Sequence, residues 1–240
     1  MILIRSLVYF AFLVVTTALF AAALATIGWL LPFRFRSAIA NGWGYCNLVL
    51  QRWICGLKYR ISGLENIPQR NTIVLSKHQS AWETIAFRWL LPREQTWVLK
   101  RELMWIPLFG WALAAAQPIA INRKAGRRAA VQIIEQGKAR LEQGRTVVIF
   151  PEGTRVAPGT RKKYGLGGAL LAEKTGYPVL PIAHNAGVFW RRRGIQKYPG
   201  TIDVVIGPLI ETTGLNAAEI NRRTEQWIEE TLSKLPQQRQ

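Results

Sequence analysis

The sequence predicts an α/β fold, a mixed and largely parallel sheet flanked by helices, with an N-terminal pair of membrane-associated helices in front of it. Three observations carry this reading. Apolar, β-branched runs alternate with helix-period segments from residue 58 onward. Two of those runs end in loops bearing reactive side chains, where open α/β sheets bind their ligands. The first 57 residues contain no acid and are dominated by apolar side chains.

Ser6 to Phe33 forms a stretch of 28 residues without a charge. As one helix it would be about 42 Å long at ~1.5 Å per residue, against ~30 Å for a bilayer core. It is long enough to span with tilt or to lie partly embedded. A secretory signal is the competing reading, with Arg5 as a thin basic region and Ala23-Leu-Ala25 as a small-residue cleavage site. The apolar run continues through Trp29, Leu30 and Leu31, so a retained anchor is expected. In Ser37–Leu57, Ile39, Trp43, Cys46, Leu50, Trp53, Ile54 and Leu57 recur at helical spacing, with Asn41, Asn47, Gln51 and Arg52 elsewhere. Such a helix fits the membrane interface, and it equally fits packing on the domain that follows. Cys46 and Cys55 have no metal-ligand spacing around them and read as reduced, inert thiols.

From residue 58 the expected strands are Lys58–Ser62, Asn71–Ser76, Thr96–Leu99, Pro118–Asn122, Arg145–Phe150, Pro178–Ile182 and Thr201–Ile206. Helices are expected over Ser80–Leu91, Gly126–Glu142, Tyr164–Thr175 and Asn216–Leu235, and the polar tail Pro236–Gln240 is expected to fray. The division is thus residues 1–57 for the membrane-associated helices and 58–240 for the α/β domain.

A base that works near neutral pH is most easily a histidine, and the chain has two, His78 and His184. Within His78-Gln-Ser-Ala-Trp-Glu83, Glu83 falls in the first helical turn and can accept the proton of one imidazole nitrogen, freeing the other for a hydroxyl proton. Ser80-Ala-Trp-Glu83 is also a capping box, in which Glu83 would serve a backbone N–H. His184, just past an apolar strand in Ala183-His-Asn-Ala186, reads as structural. After a second buried strand comes Phe150-Pro-Glu-Gly-Thr-Arg155, in which a glycine lets backbone N–H groups approach a ligand and an arginine fork matches phosphate oxygens. Lys100 follows the apolar Thr96-Trp-Val-Leu99, so it too stands at a strand end. The chain has no G-x-S-x-G elbow, Walker A loop or G-x-G-x-x-G fingerprint. Gly165-Leu-Gly-Gly168 reads as helix packing rather than a phosphate cradle.

With these blocks in this order, the chain resembles the glycerolipid acyltransferases of the 1-acyl-glycerol-3-phosphate acyltransferase family. The likeness runs from about Ile61 to Pro208. Glu83 stands where the family carries aspartate. A second block runs through Lys100-Arg-Glu-Leu103, Pro107, Gly110 and Ile121-Asn-Arg123, and Phe150–Arg155 matches the third residue for residue. Val179-Leu-Pro-Ile182 corresponds to the fourth. The resemblance implies that His78 and Glu83 are catalytic and that Lys100, Arg123, Glu152, Gly153, Thr154 and Arg155 bind substrate. It implies acyl transfer from acyl-CoA or acyl carrier protein to a lysophospholipid, making phosphatidic acid, with no covalent enzyme intermediate, no cofactor and no metal. Another acceptor, glycerol-3-phosphate or a lyso-aminolipid, stays open, as does a non-catalytic binding module.

Net charge of +18 needs an anionic partner. All 14 acids lie at or beyond Glu65, and basic clusters occur at Arg123-Lys124, Arg127-Arg128, Arg161–Lys163 and Arg191–Arg193. An anionic bilayer attracts each nearby basic side chain by about 1 kcal/mol. With the apolar N-terminus beside it, this favours an anionic membrane and anionic substrates, and no nucleic acid is expected. Arg34 and Arg36 after the apolar run, against Arg5 before it, put the domain on the cytoplasmic face of the inner membrane by the positive-inside rule.

Overall fold

The computed structural model describes residues 1–91 and 94–239. The Lys124 side chain and Gln240 at the end of the polar tail lie outside the described residues. Seven strands form one sheet in the order β1-β7-β6-β2-β5-β3-β4. They are β1 (Leu57–Ser62), β2 (Ile73–Ser76), β3 (Gln95–Lys100), β4 (Ile119–Ile121), β5 (Thr146–Ile149), β6 (Val179–His184) and β7 (Gly200–Ile206). β2 is parallel to both β5 and β6, β3 is parallel to β5 and β4, and β1 is parallel to β7. The sense reverses once, where β6 meets β7 with Ala183 opposite Val205. The expected mixed, largely parallel sheet is therefore present, and every expected strand lies in it.

The central strands read as unbroken apolar runs because helices cover both faces. Alternation survives in their packing: Val74 joins the core under α3, while Ile73 and Leu75 join the core under α5 and α6. α3 (Trp82–Leu90), α5 (Arg127–Glu142), α6 (Gly167–Thr175) and α8 (Ala217–Lys234) occupy the expected segments. Asn216 caps α8 by accepting the Glu219 N–H at 2.9 Å. Gly168 is a packing residue, since a Cβ there would sit 2.5 Å from Leu75 Cδ2. Two short helices, α4 (Phe109–Ala115) and α7 (Ala186–Phe189), were not expected. α4 is entered through Leu108 at φ 62°, a left-handed conformation that no turn residue announces.

The N-terminal segments form an antiparallel hairpin, α1 (Ile2–Ala25) and α2 (Phe33–Cys55). Two sequence expectations need correction here. The uncharged run is not one helix, because a 3₁₀ turn over Ile27–Leu30 and then Pro32 interrupt it. The second helix begins at Phe33 rather than Ser37, and its inward side carries polar residues beside the expected apolar ones, since Trp43, Leu50 and Ile54 pack against the core. Asn47 and Gln51 are buried, whereas Trp53 is 81% exposed. Asn47 Nδ2 donates to Thr16 Oγ1 at 3.1 Å, and Trp43 Nε1 donates to Thr17 Oγ1 at 3.2 Å. Hydrogen bonds of this kind also join helices packed in lipid, where close contact and polar pairs replace the hydrophobic drive. On α1, Ser6, Tyr9, Thr16, Ala21 and Leu24 are buried, while Leu3, Val14, Val15 and Leu19 are exposed. α1 is long and apolar enough to cross a membrane, with 22% of its most apolar window buried.

The backbone of α4 passes so close to the preceding turn that a Cβ on Gly110 would lie 2.1 Å from the Met104 carbonyl oxygen. Gly110→Ala should therefore cost on the order of 1–3 kcal/mol, the usual range for overpacking. Thermal unfolding in detergent checks this, and an unchanged midpoint would show that the turn yields freely.

Candidate active site

β2 and β5 are adjacent and parallel, so the loops that leave their C-terminal ends emerge side by side. Two hydrogen bonds join those loops at one residue. The His78 N–H donates to Glu152 Oε2 at 2.8 Å, and the Val156 N–H donates to the His78 carbonyl at 2.7 Å. Topology thus brings the first and third sequence blocks together, about seventy residues apart in the chain.

Within the first block, His78 Nδ1 lies 2.8 Å from Glu83 Oε1. The same oxygen accepts the amide N–H groups of Gln79 and Ser80, each at 2.8 Å. The two readings of Glu83 are therefore both present in the structure: it orients the imidazole and it caps the helix start. Its side chain is fully buried. Burial pushes its carboxyl up, but His184, His78 and the Ser80 N–H together hold it below the ordinary carboxylate value. An ionised Glu83 accepts the Nδ1 proton, which leaves the lone pair on Nε2.

The His78 ring stacks on Phe150 with centroids 4.1 Å apart and planes inclined by 13°. It lines an apolar cavity of about 300 Å³ whose wall also includes Phe20 and Leu24 of α1, Trp43 of α2, Trp97 of β3 and Ala112 of α4. Lys100 and Arg123 line the same cavity, so three of the expected site residues meet there with Glu83 directly behind. Lys100 Nζ lies 3.2 Å from Glu102 Oε1, and Arg123 donates to the Gly153 carbonyl, tying the second block to the third. Thr154 and Arg155 are partly exposed on that loop outside the cavity wall, and the Arg155 carbonyl accepts from Arg192 Nη1 at 3.0 Å. Glu152 is 2% exposed and points inward.

Sequence reasoning passed over Arg88, which lies one turn beyond Thr84 on the α3 face that lines this cavity. Its guanidinium sits 5.0 Å from the Trp97 ring, and burial pushes its pKa down to about 10. No motif marks it; the signal was a lone cation one turn beyond Thr84 in a largely apolar helix. His184 is fully buried with both nitrogens used inside the protein. Nε2 lies 2.9 Å from the Lys77 carbonyl, and Nδ1 accepts the Ala186 N–H at 3.3 Å.

Residues 58–185 match the family model described as Acyltransferase. The chain belongs to this acyltransferase family. A 1-acyl-sn-glycerol-3-phosphate acyltransferase of Pseudomonas aeruginosa is 43% identical over 97% of this chain and 91% of its own length. A protein of the same name from Limnanthes douglasii is 30% identical over 76% of this chain and 66% of its own. The fold is shared with the crystal structure of a Thermotoga maritima 1-acyl-sn-glycerophosphate acyltransferase, at a TM-score of 0.80 and 22% identity over 97% of this chain and 95% of that one. The protein is therefore an enzyme, an acyltransferase, built on the fold that the sequence led us to expect.

Two predictions follow from this geometry. Glu83→Asp should keep more activity than Glu83→Gln, because an amide can hold the ring in the wrong tautomer, which in a triad cost about 10⁴-fold. Steady-state kcat of the two variants decides it, and full activity in Glu83→Gln would leave the residue with a capping role alone. The second concerns stability. Burial lowers the His184 pKa below its ordinary 6.5, so the folded state keeps this ring neutral while the unfolded chain takes up a proton below that value. The associated stability is present above about 6.5 and is lost as pH falls through that value toward the folded pKa. Unfolding midpoints between about pH 5 and 7 should thus fall less steeply on acidification in His184→Gln than in the parent.

Proposed function

We propose that the enzyme moves an acyl group from an acyl thioester, on CoA or acyl carrier protein, to the free sn-2 hydroxyl of 1-acyl-glycerol-3-phosphate, giving phosphatidic acid. The observation that carries this is the His78–Glu83 pair, 2.8 Å apart, on the wall of an apolar cavity that Lys100 and Arg123 also line. His78 Nε2 takes the hydroxyl proton as the oxygen attacks the thioester carbonyl carbon. The tetrahedral species collapses with cleavage of the C–S bond, and the imidazolium returns its proton to the departing thiolate. Glu83 stabilises the imidazolium between those two transfers. The apolar cavity suits an acyl chain, and the cations Lys100, Arg123 and Arg155 suit the acceptor phosphate.

Membrane attachment is read from the hairpin. Both ends of α1 touch the domain: Ser6 Oγ accepts the Lys197 N–H at 2.9 Å, and Leu24 packs with Ala112 and Ala115 of α4. A helix fixed to one domain along its whole length fits embedding from a single face better than crossing. In our reading this is the cytoplasmic face of the inner membrane, where acyl thioesters are made, and the anionic leaflet suits a chain of net charge +18.

Purified full-length protein should be offered labelled acyl-CoA and acyl carrier protein with a panel of acceptors: lysophosphatidic acid, glycerol-3-phosphate and a lyso-aminolipid. We expect the highest kcat/KM on lysophosphatidic acid, a loss of about 10²–10⁴-fold in His78→Ala, and a raised acceptor KM in Arg155→Ala that Arg155→Lys does not restore. Preference for either other acceptor would overturn the substrate assignment, and an active His78→Ala would overturn the base.

A further inference from the structure

Residues 77–80 belong to neither strand nor helix, yet side chains and a neighbouring loop hold their backbone. His184 takes the Lys77 carbonyl, Glu152 takes the His78 N–H, Val156 holds the His78 carbonyl, and Glu83 takes the next two N–H groups. Glu152 is itself held by charge. Lys77 is 1% exposed, and its Nζ lies 2.7 Å from Glu152 Oε1 and 2.8 Å from Glu229 Oε1 on α8. The Tyr164 hydroxyl donates to Glu229 Oε1 at 3.1 Å, and Arg161 Nε lies 3.3 Å from Glu229 Oε2. Lys162 Nζ donates to the Glu152 carbonyl at 2.8 Å.

A buried lysine between two carboxylates is costly to assemble and costlier to break, because removing one member strands a charge away from water. Glu152 shows the balance. Burial holds its carboxyl above the ordinary value although the Lys77 hydrogen bond and charge pull against that, so the pair with Lys77 is what keeps the ionised form in reach. A protonated Glu152 would be a weaker acceptor for the His78 N–H. We propose that Lys77, Glu152 and Glu229 form a buried ionic clamp that sets the position of the His78 backbone, which makes Glu229, on the last long helix, a positioning residue for acyl transfer. Glu152 then acts through His78 rather than on substrate. α8 lies beyond residues 58–185, the part matched by the family model, so nothing in the motif blocks points to Glu229. The inference rests on His78 being the base.

Full-length Glu229→Gln, folded by size exclusion and thermal melting, tests it with kinetics in both substrates. We expect kcat per folded molecule to fall about 10–100-fold, the scale of a misplacement of roughly 1 Å, with both KM values near the parent's. Hydrogen exchange of the peptide spanning Lys77–Ser80 should quicken while exchange in β5 and β6 stays put. Lys77→Met should lose more than Glu229→Gln, and the double variant should lose less than the product of the two. Unchanged kcat in folded Glu229→Gln would overturn the clamp, and so would a raised acceptor KM at unchanged kcat. Should Glu229→Gln fail to fold, Tyr164→Phe removes one hydrogen bond from Glu229 and must still lower kcat and quicken exchange over Lys77–Ser80. Parallel His78→Ala separates the two readings: if it stays active the base assignment fails, whereas an inactive His78→Ala beside a fully active Glu229→Gln fails the clamp alone.

Discussion

One carboxylate oxygen, Glu83 Oε1, accepts from an imidazole and two backbone amides at once. Taking a full charge out of water is expensive, and charge-assisted hydrogen bonds of roughly 1.5–3 kcal/mol each are what offset it here. The geometry is specific in consequence. Gln79 and Ser80 can both reach that oxygen only if the chain turns sharply after β2, and that turn aims His78 at the cavity while starting α3. A shorter side chain would have to draw the turn inward to reach the same donors; glutamate supplies the reach from within the first helical turn.

The cavity depends on the N-terminal hairpin as much as on the sheet. Its β-side wall, Trp97 and Phe150, would face solvent without Phe20 and Leu24 of α1 and Trp43 of α2. Tyr9, Leu48 and Cys55 of the hairpin enter the same core as Val74, Val148 and Leu180. The part of the chain with lipid-like patterning is thus continuous with the part that holds His78. That continuity has an energetic logic. An apolar cavity open to water would be costly to keep, whereas one roofed by helices whose outer faces are Val, Leu and Phe can adjoin lipid without exposing new apolar surface to water.

Much of this could be read from the residues, and the reasons differ by element. The strands are legible because a doubly covered parallel sheet demands continuous Val, Ile and Leu, and few other structures do over so short a span. The His78 and Phe150–Arg155 loops are legible because reactive side chains follow such strands. α4 was not, since seven apolar residues entered through a left-handed leucine carry neither period nor cap. On α2 the apolar positions were legible and the buried polar ones were not. Asn47 and Gln51 are buried beside Leu48, and Asn47 finds its partner Thr16 on α1, which spacing within α2 cannot reveal. Glu152 sits inside the third block, but sequence spacing cannot say which way a side chain points. Its inward turn follows from Lys77, whose partner on α8 is 152 residues away in the chain.

The charge imbalance follows from the same use of acids. Glu83, Glu152 and Glu229 are all buried around one loop, and Asp203 is buried beside Arg60. Glu83 and Glu152 act inside the protein, whereas Glu229 and Asp203 also pair with the exposed Arg161 and Arg60. Several basic side chains near the site are exposed, two of them bonded only to backbone carbonyls among the described residues. Arg191, Arg192 and Arg193 are exposed, with Arg192 donating to the Arg155 carbonyl, and Lys162 and Lys163 are exposed, with Lys162 donating to the Glu152 carbonyl. A surface potential is set by what is left uncompensated in the outer layers. The loops that frame the base are therefore electropositive toward solvent and anionic within. In the proposed reaction, that arrangement would let attraction of an anionic substrate and stabilisation of a protonated His78 act without opposing each other.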